Sequence, residues 1–232
     1  MVFNLTFMQF ANIVKIYNFA NMYTILYIHG MGGGGDSRIP SILNEALSAE
    51  GIRIIARTYD FDPEIAAVQI ESWIDELQPR LIIGESLGSI HAIRVKNLPH
   101  LLISPSLNAP LFLGYLSWVA LIPGMTWIFD RIYKPREGDR QKLHFVYPVL
   151  RKYREHGRLA MANTPLKGNS DYFHAFIGTR DHYRRTGVVS IRTWKKYFGE
   201  TCTIYDGTHF TEEEYLYSLV IPKIRECVQD MP

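Results

Sequence analysis

Short runs of consecutive apolar residues, not alternating ones, recur along this chain between stretches of helical periodicity. YTILYI (23–28), IRIIAR (52–57), RLIIG (80–84), HLLIS (100–104), YFHAFIG (172–178) and TCTIY (201–205) read as strands. A strand apolar on successive positions needs both faces covered, which is the condition of a parallel sheet between two layers of helices. Helical patterns lie between the strands at 39–50, 64–77, 87–96, 188–198 and 212–228. The first takes Asp36 or Ser37 as its cap, tolerates Pro40 in its first turn and ends at Gly51. Such βαβ grammar predicts fold class α/β, as a doubly wound, mostly parallel six-stranded sheet with helices on both faces.

Residues 105–170 break the pattern, with helical pieces near 111–122, 125–133, 139–147 and 148–156 and no convincing strand. Lying between the fourth and fifth strands, the segment reads as a helical cap insertion. No charged side chain occurs from Leu101 to Phe129. The longest helical piece there, 111–122, rises only ~18 Å, whereas a bilayer needs about 20 residues. Stable membrane insertion is therefore not expected. Leu111, Phe112, Trp118 and Trp127 are instead expected to wall a substrate pocket together with His29 and Gly32.

A chain of 232 residues fits one domain, and Lys+Arg exceed Asp+Glu by only two. That balance argues against a nucleic-acid partner held on a basic surface. Residues 1–21 carry one charge, Lys15, and asparagines interrupt their apolar run, so they read as a leader or dispensable extension ahead of a domain spanning 22–230. Cys202 and Cys227 make neither a disulfide framework nor a metal cluster. No metal or cofactor is expected, and the expected location is cytoplasmic. Homo-oligomerisation is left open.

The chemistry centres on LIIGESLGSIHAI, residues 81–93. A Gly-x-Ser-x-Gly turn between a strand and a helix lets the two approach closely and pushes the Ser86 hydroxyl outward, with helix N–H groups behind it. A nucleophilic serine needs a base, and the base an orienting acid. His209, in DGTHF after the last strand, lies at the sheet edge where such sites form; His182 is its main competitor. Asp181 follows the fifth strand in GTRD, while Asp206 is closer in sequence to His209 and suited to shaping that loop. The glycine run HGMGGGGD (29–36) exposes backbone amides able to hold an oxyanion, with the N–H groups of Met31 and Leu87 as donors. Gly30, Gly32 and Gly35 also spell a dinucleotide fingerprint. Pro40 delays the helix, however, and Asp60 comes late after the second strand.

These four elements, in the order Ser86, Asp181, His209 behind a His29-Gly30 turn, resemble the α/β-hydrolases over nearly all of residues 22–230, the small serine hydrolases in particular. The resemblance implies the strand order second, first, third, fourth, fifth, sixth. It also implies a catalytic triad with Ser86 as nucleophile, Asp181 as acid and His209 as base. The activity implied is that of a serine esterase-type acyl hydrolase, acting on a small, partly hydrophobic acyl substrate. The glycine run is longer than the family's, which leaves one oxyanion donor open between Met31 and Gly32. The alternative is a catalytically silent hydrolase fold used for binding, with the triad misassembled. A variant of the enzyme reading has residues 1–21 or the cap touching a bilayer.

Overall fold

A computed structural model describes residues 22–134 and 137–229. Residues 1–21, on which the leader expectation falls, lie outside it. Strands β1 (Tyr23–Ile28), β2 (Ile52–Ala56), β3 (Leu81–Glu85), β4 (His100–Ile103), β5 (Phe173–Gly178) and β6 (Cys202–Tyr205) form one sheet in the order β2-β1-β3-β4-β5-β6, as the resemblance implied. Every pairing is parallel. Along β1 all six residues are buried, with Leu26 and Ile28 in one core and Ile25 and Tyr27 in the other. Consecutive apolar residues thus serve opposite faces of one sheet. Each fully buried Leu or Ile contributes about 1.5–3 kcal/mol.

Helices α1 (Arg38–Leu47) and α9 (Ile221–Gln229) cover one face, through Leu43, Leu47, Ile221 and Ile224. The other face carries α2 (Pro63–Leu77) and α3 (Gly88–Arg94). It is also covered by α8 (Ile191–Phe198), which follows the single turn α7 (Tyr183–Thr186). Local chemistry sets several boundaries. Asp62 accepts the N–H of Glu64 (3.0 Å) ahead of Pro63, and Ser190 Oγ accepts the N–H of Thr193 (3.1 Å).

Between β4 and β5 the insertion forms α4 (Ala109–Val119), α5 (Met125–Ile132) and α6 (Tyr147–Met161). One expected piece is corrected: residues 139–146 are not helical. Their polar groups are used across the molecule instead of along a helix. The Gln141 N–H donates to the Gly33 carbonyl (2.7 Å), its Nε2 donates to the Tyr59 carbonyl (3.2 Å), and Arg140 pairs with Asp36 (3.0 Å). A Cβ on Gly34 would collide with the Asp139 carbonyl, so this strap needs glycine beneath it. Among the described residues no helix is long and apolar enough to cross a membrane.

Candidate active site

The carboxyl ends of β1, β3, β4, β5 and β6 open onto one cavity of about 210 Å³. Ligands of open α/β sheets bind at such an edge because several loops converge there. Ser86, directly after β3, has φ +50°, a left-handed conformation strained for a serine. Its N–H donates to the Ile103 carbonyl (2.9 Å), and its own carbonyl accepts from the N–H of Ser106 (3.1 Å). Gly88, the last glycine of the turn, is packed so closely that a Cβ would strike the carbonyls of Ile28 and His29. The strain at Ser86 is held in place by backbone on two sides.

Ser86 Oγ lies 2.9 Å from His209 Nε2, and His209 Nδ1 lies 2.7 Å from Asp181 Oδ2. The other Asp181 oxygen accepts the N–H of Tyr183 (2.8 Å), so both carboxylate oxygens are held by donors. Asp181 and His209 are buried. The histidine loop is fastened on both sides. Arg38 donates to the carbonyls of Phe210 (2.5 Å) and Thr211 (2.6 Å), and Thr208 N–H donates to Glu212 (3.0 Å). Asp206 accepts from Thr179 Oγ1 (3.0 Å) and pairs with Arg180 (3.2 Å), so it shapes this loop and does not touch the imidazole. His182 is exposed, its ring centroid 5.9 Å from that of His209.

Met31 and Leu87 line the cavity with Ser86. Among the described residues, no protein group accepts from either backbone N–H. The N–H of Gly32 instead donates to Gln141 Oε1 (3.0 Å). Of the six residues expected to wall the pocket, only Phe112 lines this cavity. His29 is fully buried and turned inward: Nδ1 donates to the Gly30 carbonyl (2.7 Å), and the ring stacks on Tyr59 at 4.3 Å. Burial lowers its pKa to about 4, so it stands neutral as a brace for the glycine loop. Leu111, Trp118 and Trp127 are exposed and line no part of this cavity; α4, apolar all round, gave no sign in the sequence of which side would face inward.

Among the cavity residues that escaped the sequence reading, three carry polar groups. Ser106 Oγ is 3.1 Å from Ser86 Oγ; its signal was the Ser-Pro-Ser run directly after β4, on the edge that carries every other site residue. Tyr183 packs edge-on against His209 at 4.6 Å. Glu85, inside the Gly-x-Ser-x-Gly turn, accepts from Tyr27 OH (2.8 Å). Burial, then the Glu85 carboxylate, raise the Tyr27 pKa and keep that hydroxyl a donor.

No family model and no curated protein sequence matches the chain. Solved structures do. Est1E from Butyrivibrio proteoclasticus with ferulic acid bound superposes at TM-score 0.62 and 14% identity, covering 89% of this chain and 90% of that one. A structure reported for LipS and LipT, two metagenome-derived lipolytic enzymes, gives 0.61 at 13% identity over 90% and 94%. Alpha/beta hydrolase domain-containing protein 10 from mouse gives 0.61 at 14% identity over 90% of each chain. At such identities the likeness is one of fold, and the fold is that of the α/β-hydrolases.

Proposed function

We propose that this chain of α/β-hydrolase fold is a serine esterase, cleaving a carboxylic ester or related acyl bond of a small, partly hydrophobic substrate. The observation that carries the reading is the unbroken line from Asp181 through His209 to Ser86, at 2.7 and 2.9 Å. With Nδ1–H donating to Asp181, Nε2 has a free lone pair for the Ser86 hydroxyl proton. Ser86 Oγ attacks the carbonyl carbon as that proton passes to Nε2, and the carbonyl π pair moves to oxygen. The oxyanion is met by the N–H groups of Met31 and Leu87, each worth roughly 3 kcal/mol of barrier. Collapse breaks the bond to the leaving alcohol, which takes the proton from Nε2 and leaves Ser86 acylated. Water then gives a proton to Nε2 and attacks the acyl carbon; a second collapse returns the hydroxyl to Ser86 and releases the acid. Asp181 holds the tautomer and supports the imidazolium without taking its proton.

The catalytic unit in this reading is residues 22–230, with 105–170 as its cap. Phe112, Leu113 and Val188 give the cavity an apolar side, and its volume of about 210 Å³ suits a short acyl or aryl group. Glu85 disfavours an anionic substituent there. Ferulic acid in the Est1E structure and the lipolytic description of LipS and LipT agree with this substrate class. The test is turnover of p-nitrophenyl esters of increasing chain length. Wild-type protein should favour the shorter chains, and Ser86→Ala and His209→Ala should each lose about 10⁴-fold or more in kcat. A wild-type rate no higher than that of Ser86→Ala would refute the reading.

A further inference from the structure

Helix α4 is apolar on every side, yet only one side is covered. Pro110, Leu113, Gly114 and Ser117 are buried, and α6 packs on this helix closely enough that a Cβ on Gly114 would strike the Arg154 stem. Beside that seam Leu111, Tyr115 and Trp118 of α4, and Ile122 just past its end, recur at helical spacing, each about half exposed or more. The exposed row continues through Leu121, Pro123 and Gly124 to Trp127 and Ile132 of α5, which are 64% and 65% exposed. Single exposed apolar residues are ordinary, whereas a contiguous row of large ones marks a contact surface. A helix apolar all round is normally buried or embedded.

Charge indicates what covers it. The Arg151 guanidinium lies 5.8 Å over the Trp118 ring and 5.7 Å over Tyr147, and Arg131 lies 5.6 Å over Trp127. Asp130 is the exposed acid of α5. Exposed tryptophan and tyrosine topped by arginine are the residues favoured where a bilayer meets water, the rings among headgroups and acyl ends and the cations toward phosphate. A second copy of this chain would set the two arginines of each molecule against Asp130 alone among the acids of α4 and α5, leaving one arginine of each unpaired. Residues 1–21 contain no acid to pair with either. Phosphate oxygens accept from both. The same face reaches the cavity: Phe112 belongs to α4 and to the cavity wall, and exposed Met31 and Phe210 share its rim.

We propose that the α4–α5 face docks this protein on a phospholipid surface carrying anionic headgroups, with the mouth of the cavity turned toward that surface. The docking is peripheral, and it goes beyond the esterase reading without resting on it, because binding needs only this face. The full chain is to be sedimented with vesicles of phosphatidylcholine alone and of phosphatidylcholine mixed with phosphatidylglycerol. It should partition onto the mixed vesicles, several-fold less onto phosphatidylcholine, with tryptophan emission moving to the blue. Replacing both tryptophans, Trp118→Ser with Trp127→Ser, should weaken partition about tenfold or more. Arg131→Ala and Arg151→Ala should each weaken it about fivefold on the mixed vesicles only. All four positions are exposed, so melting curves should show the variants folded. A full chain left in the supernatant by both vesicles overturns the proposal, as does partition unchanged in the tryptophan variant. A concentration-dependent dimer lost in that variant assigns the face to a second copy and equally overturns it. Failed partition by protein that still hydrolyses soluble esters counts against the docking alone, whereas lost ester turnover with partition intact counts against the esterase reading alone.

Discussion

Helix α3, behind Ser86, and helix α4, beside the cavity mouth, are both rich in apolar residues and are used in opposite ways. Residues Gly88 to Ile93 of α3 are all buried, down to the imidazole of His91. Helix α4 buries one side and leaves a row of large apolar side chains in solvent. Around α3, strand edges, glycine contacts and the strap over the glycine loop fix one geometry at Ser86. Around α4 the outer row stays largely in solvent, with Trp118 met by Tyr147 and the Arg151 guanidinium. The contrast separates surface spent on holding a site from surface available to a partner.

The largest expected effect lies at the fixed end of this contrast. Asp181→Asn keeps the shape of the acid but favours the wrong imidazole tautomer, and should lower kcat about 10³–10⁴-fold with little change in KM. Steady-state kinetics on one soluble ester checks it. Next comes a matched pair of truncations. Ile90→Ala, fully buried in α3, should cost about 2–5 kcal/mol, and Leu111→Ala, on the outer row of α4, less than about 0.5 kcal/mol. Similar losses in urea unfolding would remove the distinction between the two helices.

Much of the site was legible because its residues sit at strand ends, and strand ends show in sequence as the last apolar residue before glycine or a polar turn. Ser86 follows LIIGE, Asp181 follows FHAFIGTR and His209 follows CTIYDGT, so the sheet that those runs specify brings the three to one edge. Ser106 occupies the same kind of position and went unread because Ser-Pro-Ser also suits an ordinary turn. The strap at 139–146 was misread because its hydrogen bonds go to Gly33 and Tyr59, more than eighty residues away in sequence, and no local pattern encodes them. The outward turn of Trp118 was hidden for a related reason. Periodicity tells inside from outside only when one side is polar.

Acid should weaken the fixed region gradually. Burial lowers the pKa of His29 and of His100 to about 4, and burial with Arg94 alongside lowers that of His156 to about 3. His91 is lowered as well, first by burial. In the unfolded chain each titrates near 6.5. Between those values the unfolded chain binds more protons than the folded one, so this contribution is full above about pH 6.5 and is lost as pH falls toward 4. The melting temperature should drop steadily across that window, and a flat profile from about pH 7 to about pH 4.5 would contradict these burials.

Covalent labelling tests the central claim most directly. Folded protein is treated with a fluorophosphonate, and its intact mass and modified peptide are read beside those of Ser86→Ala. The geometry predicts one adduct, on Ser86, absent from the variant and slowed by Asp181→Asn. An unlabelled folded wild type, or an adduct that persists in Ser86→Ala, would contradict it.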